Sequence, residues 1–340
     1  MEILILHPGA LGDIILSLPA LGILRDRFQD ARITLAANTD FAVAVASGYV
    51  HRIVSLAALP LQRLYGSETV PPEDELLWRS YDRIISWTGF GAEAFGKKLA
   101  ELHRCVLVAA WKPRICERRH VARLFADSLR PWLRVPEAMP MPEVKLDPDD
   151  RRRGGEWLWE QGWRGERPLV AIHPGAGSAA KRWPQHKFQE LEHRLRAHGS
   201  LLIVEGPAET GLGREQARVL GAGTHLASSL PLPLLAGILS HCHSFVGNDS
   251  GIAHLAAGLQ IPCVVLFGPS APEHWAPLGS HVSILRDTKN CLSCERGLEG
   301  RHTCMENISL ETVQAQALRK LSSTAWIAEH AGKTEDKQQG

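Results

Sequence analysis

One acidic side chain stands where an enzyme could use it as a base. Asp13 follows a turn that contains Gly9 and Gly12, and it opens a helical sequence pattern. A carboxylate there could accept a proton from a hydroxyl nucleophile. Asp is also favoured at helix N-caps, where it accepts hydrogen bonds from first-turn N–H groups. A simple cap does not require glycines that let a substrate approach closely, so both roles stay open.

A second segment combines small residues with two cations. Gly175, Ala176 and Gly177 follow an apolar run, and Lys181 and Arg182 come shortly afterwards, before a proline placed to open a helix. Glycine turns expose N–H donors, the cations supply charge, and a helix N-terminus adds its dipole. This combination suits phosphate oxygens, although the P-loop pattern is absent. The alternative is a solvated loop with surface cations.

A third segment leads from an apolar strand through a polar turn into a helix. Asp249 could cap that helix, while Ser250 and Gly251 could direct N–H groups at a diphosphate, with Asn248 beside them. His254 lies one turn further along, within reach of the same ligand. The alternative for His254 is a satisfied core histidine, since its neighbours are apolar.

The elements that must position these residues can be predicted from apolar periodicity. The tetrapeptide HPGA occurs at residues 7–10 and again at 173–176, each time after an apolar run and before a helical pattern. The spacing is close to half of the chain length, which predicts two similar domains facing a central cleft. Anions and nucleotides bind at such carboxyl edges of parallel strands.

Strands alternate with amphipathic segments in both halves, which predicts parallel sheets covered by helices. Strands are expected at residues 3–6, 33–36, 52–56, 83–86, 105–108, 169–172, 201–204, 244–246 and 262–267. Helices are expected in the second half at residues 185–198, 232–241 and 250–259. The segment 135–150 is rich in proline and acidic residues and is predicted to connect the domains. The predicted domains are residues 1–150 and 151–328, followed by a frayed tail at 329–340.

Composition restricts the class of protein. Of the 340 residues, 38 are Lys or Arg and 37 are Asp or Glu, so no global field favours nucleic acid. No apolar run is long enough to span a bilayer, and polar residues interrupt the apolar N-terminal segment as they would not in a signal peptide. Several of the seven cysteines lie in apolar stretches, as buried thiols do. The cytoplasm is the expected compartment.

A cysteine-bearing segment follows the third polar turn. Cys291 and Cys294 have the spacing CxxC, Cys304 follows, and His302 is nearby. Such a set could bind structural zinc or iron. The alternative is a reduced thiol loop without metal.

Three stretches together resemble one protein family. These are ILILHPGALGDIILSLPAL at residues 3–21, HPGAGSAAKRWP at 173–184 and VGNDSGIAHLAAGLQIPCVVLFGPS at 246–270. They resemble the ordered motifs of glycosyltransferase family 9, the ADP-heptose-dependent enzymes of lipopolysaccharide synthesis. The resemblance implies an α/β GT-B fold with two Rossmann-like domains. It also implies an inverting, metal-independent transfer of heptose or a related sugar, with the donor held mainly by the C-terminal domain.

The resemblance also implies roles for particular residues. Asp13 takes the place of the base, Lys181 that of the lysine serving the diphosphate and sugar, and Asp249 that of the acid on donor sugar hydroxyls. Glu209 resembles the carboxylate that contacts the nucleotide ribose. The residues expected at the donor phosphates are Gly175, Ala176, Gly177, Arg182, Asn248, Ser250, Gly251 and His254.

The acceptor is expected on the N-terminal domain, as a core or lipid-linked saccharide. A basic segment at residues 114–124 could meet its phosphate or carboxylate groups at the inner membrane surface, through Arg119, His120 and Arg123, with Gly12 close to the acceptor. The alternative is a solvated helix face. Family members commonly carry an arginine-containing segment at the first loop, where this chain has His7, so the acceptor itself is not specified.

Two other classes of function share these features. A sugar-nucleotide epimerase or hydrolase of the same fold would form product without an acceptor. A non-catalytic sugar-nucleotide binder would need no base on the domain opposite the phosphate loops, so the presence of Asp13, Lys181 and Asp249 together argues against it.

Overall fold

A computed structural model describes residues 1–66, 68–113, 118–206, 221–287 and 303–322. The chain divides into unit 1, Met1–Lys145, and unit 2, Leu146–Gly340. Each unit contains one parallel sheet. No helix within the described ranges has the length and apolarity needed to cross a membrane. The predicted tail at 329–340 lies outside the described residues.

Unit 1 has a five-stranded sheet in the order β3-β2-β1-β4-β5. Its strands are β1 Glu2–Leu6, β2 Arg32–Ala37, β3 Arg52–Ser55, β4 Arg83–Ser86 and β5 Val106–Val108. Its helices are α1 Leu11–Arg27, α2 Thr39–Ala46, α3 Gln62–Tyr65, α4 Pro72–Arg79, α5 Glu93–Leu102 and α6 Val121–Asp127, and a 3-10 turn spans Leu56–Ala58. Ile5 on the central strand pairs with Leu35 and Ile85. All three side chains are fully buried, as expected for a sheet covered on both faces.

Unit 2 has a six-stranded parallel sheet in the order β11-β10-β9-β6-β7-β8. Its strands are β6 Leu169–His173, β7 Ser200–Glu205, β8 Thr224–Ser228, β9 Ser244–Asn248, β10 Cys263–Phe267 and β11 Val282–Arg286. Its helices are α7 Pro148–Glu160, α8 Gln185–Leu195, α9 Leu232–Leu239, α10 Gly251–Gly258, α11 Pro272–Trp275, α12 Cys304–Asn307 and α13 Leu310–Ser322, and a 3-10 turn spans Ala179–Lys181. The strand order reverses between β6 and β9. In doubly wound sheets, ligands bind at the carboxyl ends of the strands beside this reversal.

The predicted parallel α/β architecture is confirmed, and the expected strands lie within one or two residues of those observed. Three helices differ at their ends. The helix expected at 185–198 ends at Leu195, the one expected at 232–241 ends at Leu239, and the one expected at 250–259 spans Gly251–Gly258.

The predicted connection at 135–150 is wrong at its C-terminal end, because α7 begins at Pro148. Asp147 is its N-cap, and the carboxylate accepts a hydrogen bond from the Asp149 N–H at 2.9 Å. Proline and acidic residues are favoured in the first turn of a helix. The proline and acidic residues at 147–150 therefore belong to a helix start and not to a linker.

Helix α7 packs closely on α9 through glycine. A Cβ built on Gly154 would lie 2.2 Å from the carbonyl carbon of Gly237, and a Cβ on Gly237 would lie 2.0 Å from the Asp150 carbonyl oxygen. No other residue fits where two backbones approach this closely. These contacts fix α7, the first helix of unit 2, against α9.

Candidate functional site

Asp13 lies in the first turn of α1, directly after the central strand of unit 1. The N-cap of α1 is Ala10, and the Asp13 Oδ2 accepts a hydrogen bond from the Ala10 N–H at 2.8 Å. The alternative in which Asp13 is itself the N-cap is therefore wrong, although its charge still favours the positive end of the helix. Gly12 lies in the same turn. The carboxylate is partly exposed.

The loop that precedes Asp13 is held in place by Gly9 and His7, and the sequence alone did not predict this contact. A Cβ built on Gly9 would lie 2.4 Å from the Asp13 Cβ and 2.7 Å from the His7 Cε1. His7 is fully buried, and its Nδ1 accepts a hydrogen bond from the Gly9 N–H at 3.1 Å. Burial lowers the pKa of His7 to about 4, so the imidazole is neutral at physiological pH. Rings of Trp87 and Phe125 contact it.

A close ion pair in unit 2 joins two predicted site residues. The Lys181 Nζ lies 2.7 Å from the Asp249 Oδ2. The Asp249 side chain is 6% exposed, whereas that of Lys181 is 34% exposed. Both residues follow adjacent strands, β6 and β9, at the carboxyl edge of the sheet. The structure thus brings them together at the position where this class of sheet binds ligands.

Asn248 braces the loop that carries Lys181. Its Oδ1 accepts a hydrogen bond from the Trp183 N–H at 3.0 Å, and its Nδ2 donates to the Pro174 carbonyl at 2.7 Å and to the Gly175 carbonyl at 3.3 Å. The side chain is completely buried. These bonds fix the backbone of the loop, so the contacts observed for Asn248 are with protein. Its predicted contact with a donor stays a prediction.

The same loop is held at a second point. The Arg182 Nη2 donates a hydrogen bond to the Ala176 carbonyl at 3.1 Å, which closes the segment onto itself. A Cβ built on Gly177 would meet no atom within 4 Å. There is therefore open space at the tip of the loop, next to the two cations.

The polar turn of residues 248–251 caps α10. Ser250 is the N-cap, and its Oγ accepts a hydrogen bond from the Ala253 N–H at 3.3 Å. Asp249, a possible cap by sequence, instead precedes the N-cap by one residue, and its carboxylate contacts Lys181. Gly251 begins the helix, and His254 is buried within its first turns, at 5% exposure. The first N–H groups of α10 lie beside the ion pair, where they favour an anion.

The cations predicted to bind an acceptor are engaged by protein groups. Arg119 and Arg123 contact the Asp127 carboxylate at 3.4 and 3.0 Å. Burial raises the pKa of Asp127, but hydrogen bonds from Arg130 and Arg123 outweigh it and hold that pKa below its usual value. His120 is the N-cap of α6, and its Nδ1 accepts from the Ala122 N–H. These contacts favour the solvated-face interpretation for residues 118–123, while 114–117 lie outside the described residues.

Other predicted site residues can be placed only in part. Glu209, Cys291 and Cys294 lie outside the described residues. Cys304 is 1% exposed and belongs to the apolar core of unit 2. Within the described ranges, no cluster of three or more His, Cys, Asp or Glu side chains could bind a metal.

Several polar or aromatic residues at the two sheet edges were not predicted from the sequence. Glu205 ends β7 and is 5% exposed. An acid at the end of the second strand of a doubly wound sheet can bind ribose hydroxyls, and that strand position was the available signal. In unit 1, two cavities of about 450 and 220 Å³ share Pro8 in their walls. Trp111 and Lys112 line the smaller one.

Comparison with known proteins agrees with these features. The sequence profile of glycosyltransferase family 9 (heptosyltransferase) matches residues 81–301. The chain belongs to glycosyltransferase family 9. This family match includes the segment from the turn before β4 to the cysteine-bearing segment, and with it the ion pair of unit 2.

Individual family 9 relatives match over shorter stretches. Lipopolysaccharide heptosyltransferase 2 of Escherichia coli K12 is 31% identical over 157 residues, which are 44% of this chain and 45% of that protein. Lipooligosaccharide heptosyltransferase 2 of Haemophilus influenzae is 32% identical over 129 residues, 36% of this chain and 37% of that protein. The matched part thus spans less than half the length of these relatives.

Solved structures of two heptosyltransferases and of a family 9 glycosyltransferase share the fold over nearly the whole chain. E. coli ADP-heptose lipopolysaccharide heptosyltransferase II has a TM-score of 0.70 and 21% identity, covering 94% of this chain and 98% of that one. A family 9 glycosyltransferase from Veillonella parvula has a TM-score of 0.77 and 20% identity, covering 95% and 98%. E. coli heptosyltransferase WaaC, solved with ADP, has a TM-score of 0.65 and 16% identity, covering 94% and 100%. The expected GT-B fold class is confirmed.

Proposed function

We propose that the chain is an inverting glycosyltransferase that transfers a heptose, or a related sugar, from an ADP-linked donor to a saccharide hydroxyl. The observation that carries this proposal is the ion pair of Lys181 and Asp249 beside the N-terminus of α10, at the strand reversal of a family 9 sheet. The choice of sugar and nucleotide is supported by relatives named lipopolysaccharide or lipooligosaccharide heptosyltransferases and by the ADP bound to WaaC.

Unit 2 has the groups needed to bind a diphosphate donor. Lys181 and Arg182 supply positive charge, and the first N–H groups of α10 supply oriented dipoles. Negative charge grows on the diphosphate as it departs, and such fixed groups stabilise it most in the transition state. Asp249, which holds Lys181 in this structure, would accept hydrogen bonds from donor sugar hydroxyls. A phosphate oxygen would then become the partner of Lys181.

The transfer step needs one base and one leaving group. The acceptor oxygen forms a bond to the anomeric carbon on the face opposite the diphosphate, and the bond from that carbon to the diphosphate oxygen breaks. Asp13 takes the acceptor proton, and ADP leaves with the electron pair of the broken bond. General-base assistance of this kind contributes about 10²- to 10⁴-fold in rate. The configuration at the anomeric carbon is inverted.

The remaining proposals concern the acceptor, the cellular location and the need for a metal ion. We propose a lipopolysaccharide-core or lipid-linked saccharide as acceptor, action in the cytoplasm with peripheral contact at the inner membrane, and no requirement for a catalytic metal. The cations of the donor loop support the last point, because they can carry leaving-group charge themselves. A structural ion at Cys291, Cys294 and Cys304 is compatible with that chemistry.

The test follows ADP release from ADP-heptose and the mass of the saccharide product. We expect ADP release to depend on a lipopolysaccharide-core or other lipid-linked saccharide acceptor and the acceptor to gain one heptose. Release of ADP at the same rate without acceptor would instead identify a hydrolase. Conversion of the donor sugar without ADP release would identify an epimerase.

A further inference from the structure

A short segment near the end of unit 2 contacts the donor loop, residues 174–183, which carries Lys181. The segment comprises residues 304–308, which are helix α12 and its C-cap Ile308. Three of its side chains belong to the apolar core of unit 2, as does that of Trp183 at the end of the donor loop. The donor loop therefore rests on a part of the core that lies more than 100 positions further along the chain.

Trp183 joins this segment to the polar turn before α10. Its indole Nε1–H donates a hydrogen bond to the Ile308 carbonyl at 3.0 Å, and its backbone N–H donates to the Asn248 Oδ1 at 3.0 Å. Asn248 is followed by Asp249, whose carboxylate contacts the Lys181 ammonium group. Trp183 is 2% exposed, so both hydrogen bonds are made away from water, where a donor without a partner is costly. Trp183 is thus held on two sides.

Lys187 ties the same segment to helix α8. Its Nζ donates hydrogen bonds to the carbonyls of Glu306 and Ile308 at 2.6 and 3.0 Å. These carbonyls lie at the C-terminal end of α12, where backbone acceptors without helical partners favour a cation. The Ile308 carbonyl therefore accepts from both Trp183 and Lys187. Helix α8 begins from a fixed point directly after the donor loop.

A further contact lies beside the 3-10 turn that ends at Lys181. Gly268 follows β10, and a Cβ built on it would lie 2.7 Å from the Met305 Sδ and 3.3 Å from the Ala180 carbonyl oxygen. Only glycine leaves room where these groups meet. The segment therefore flanks the donor loop both before its lysine and after it.

The Lys181 ammonium group needs a fixed backbone in order to stay at the edge of the sheet. Its side chain is one-third exposed, and a lysine stem is long and flexible. The ion pair with Asp249 holds only the tip of that stem. A displacement of the donor loop would therefore move the charge relative to a bound diphosphate, and such misplacement weakens electrostatic stabilisation.

We propose that residues 304–308 support the donor site, and that Trp183 and Lys187 are positioning residues of the proposed transferase. They hold the backbone that carries Lys181, so that its ammonium group meets the donor diphosphate without rearrangement, and they act without touching the donor. Charged groups fixed in this way bind at little cost in reorganisation. The inference rests on the proposed function, to which it adds two residues and a segment that control diphosphate affinity.

The test compares ADP with adenosine, which has no phosphate, by calorimetric titration of the full chain. Lys187→Met keeps the length of the side chain but removes the ammonium group and both of its hydrogen bonds. We expect ADP binding to weaken about three- to tenfold, which is part of the loss of one charge-assisted hydrogen bond, and adenosine binding to change by less than about twofold. Lys187→Arg, which keeps a cation with several N–H donors, should restore ADP affinity.

A second variant tests the support at its other point, and a matched control excludes a general effect on α8. Trp183→Phe keeps an aromatic ring in the core but lacks the indole N–H, so we expect the same selective loss for ADP. Gln189 is exposed on α8, two residues from Lys187, and Gln189→Met should leave both ligands unaffected. Equal losses for ADP and adenosine, or unchanged ADP binding in both Lys187→Met and Trp183→Phe, would overturn the proposal.

A double-variant comparison shows whether the effect passes through Lys181. In a chain that already has Lys181→Ala, Lys187→Met should weaken ADP binding by less than about twofold, because the charge that it positions is gone. The same loss with and without Lys181 would show that Lys187 acts only on the general stability of unit 2. That result would contradict the positioning role.

Transfer from ADP-heptose, measured on the same variants, separates this inference from the proposed function. A chain that transfers the sugar but binds ADP equally well with Lys187→Met contradicts the positioning role alone. A selective loss of ADP affinity in a chain that transfers no sugar agrees with the positioning role and contradicts the transferase. A parent chain that does not bind ADP contradicts both.

Discussion

The Lys181 Nζ and the Asp249 Oδ2 lie 2.7 Å apart and link the carboxyl ends of strands β6 and β9 across the strand reversal of unit 2. The lysine is one-third exposed and the carboxylate is nearly buried. A carboxylate so placed keeps the ammonium group at the edge of the sheet. A donor phosphate bound as proposed would therefore meet a cation that is already in position.

Removing the Lys181 ammonium group should weaken the binding of ligands with phosphate groups more than the binding of ligands without them. We expect Lys181→Ala to weaken ADP binding about tenfold or more, because a charge-assisted hydrogen bond is lost. Adenosine, which has no phosphate, should bind with little change. Calorimetric titration of both ligands measures the difference. Equal losses for ADP and adenosine would exclude a role of Lys181 at the diphosphate.

Asn248 should contribute to the free energy of unfolding through its hydrogen bonds to the loop that carries Lys181. Asn248→Ala leaves the buried Trp183 N–H and the carbonyls of Pro174 and Gly175 without their side-chain partner. We expect the free energy of unfolding to fall by about 1–3 kcal/mol and donor binding to weaken with it. Urea denaturation checks the first effect. Asn38→Ala, at an exposed helix cap of unit 1, should cost less, and a larger loss there would contradict the bracing role.

Gly9 should be required for the position of the Asp13 carboxylate. An added methyl group would lie 2.4 Å from the Asp13 Cβ, so Gly9→Ala must displace that side chain. Because a shift of about 1 Å in a catalytic group can cost 10²-fold, we expect turnover to fall about a hundredfold with donor affinity unchanged. Gly96→Ala is the control, since a Cβ there meets no atom within 4 Å. Equal activity of the two variants would refute the requirement.

Glu192 should make stability depend on pH. It is completely buried on α8, and neither carboxylate oxygen has a hydrogen-bond partner among the described residues. Burial raises its pKa from 4.5 to about 8. The unfolded chain therefore releases this proton first, and the contribution of Glu192 to stability is full below pH 4.5 and is lost as the pH rises to 8.

The measurement is the free energy of unfolding at pH 5 and pH 8. Glu192→Gln should reduce the loss between these values, by an amount on the order of a few kcal/mol. Glu190→Gln, on the exposed side of the same helix, should leave the loss unchanged. A pH profile of Glu192→Gln that matches the parent would show that the carboxyl is not buried as a neutral acid.

The central strands could be predicted from the sequence because each one is marked by a local run of apolar residues. Strands β1 and β6 are continuous apolar runs, as buried parallel strands require. The edge strands β8 and β11 were not predicted. Thr224 and His225 interrupt the apolar pattern of β8, and β11 is only half-buried. Helix α7 was missed because proline and acidic residues mark linkers and helix starts alike.

The sequence predicts Lys181 and Asp249 as candidate site residues, but it does not predict that they are in contact. Lys181 and Asp249 are 68 positions apart, and only the sheet topology brings them into contact. The caps fall on Ala10 and Ser250 instead of the two aspartates, because capping depends on backbone angles that composition does not specify. The pairing of Arg123 with Asp127 likewise depends on a helical turn.

The most direct test of the proposed mechanism is the turnover of Asp13→Asn with ADP-heptose and a saccharide acceptor. The substitution keeps the shape of the side chain and an oxygen that can accept from the Ala10 N–H, but it removes the base. We predict that turnover falls by about two or more orders of magnitude while ADP-heptose binds with nearly unchanged affinity. Turnover close to that of the parent enzyme would show that Asp13 serves only the first turn of α1 and would contradict the mechanism.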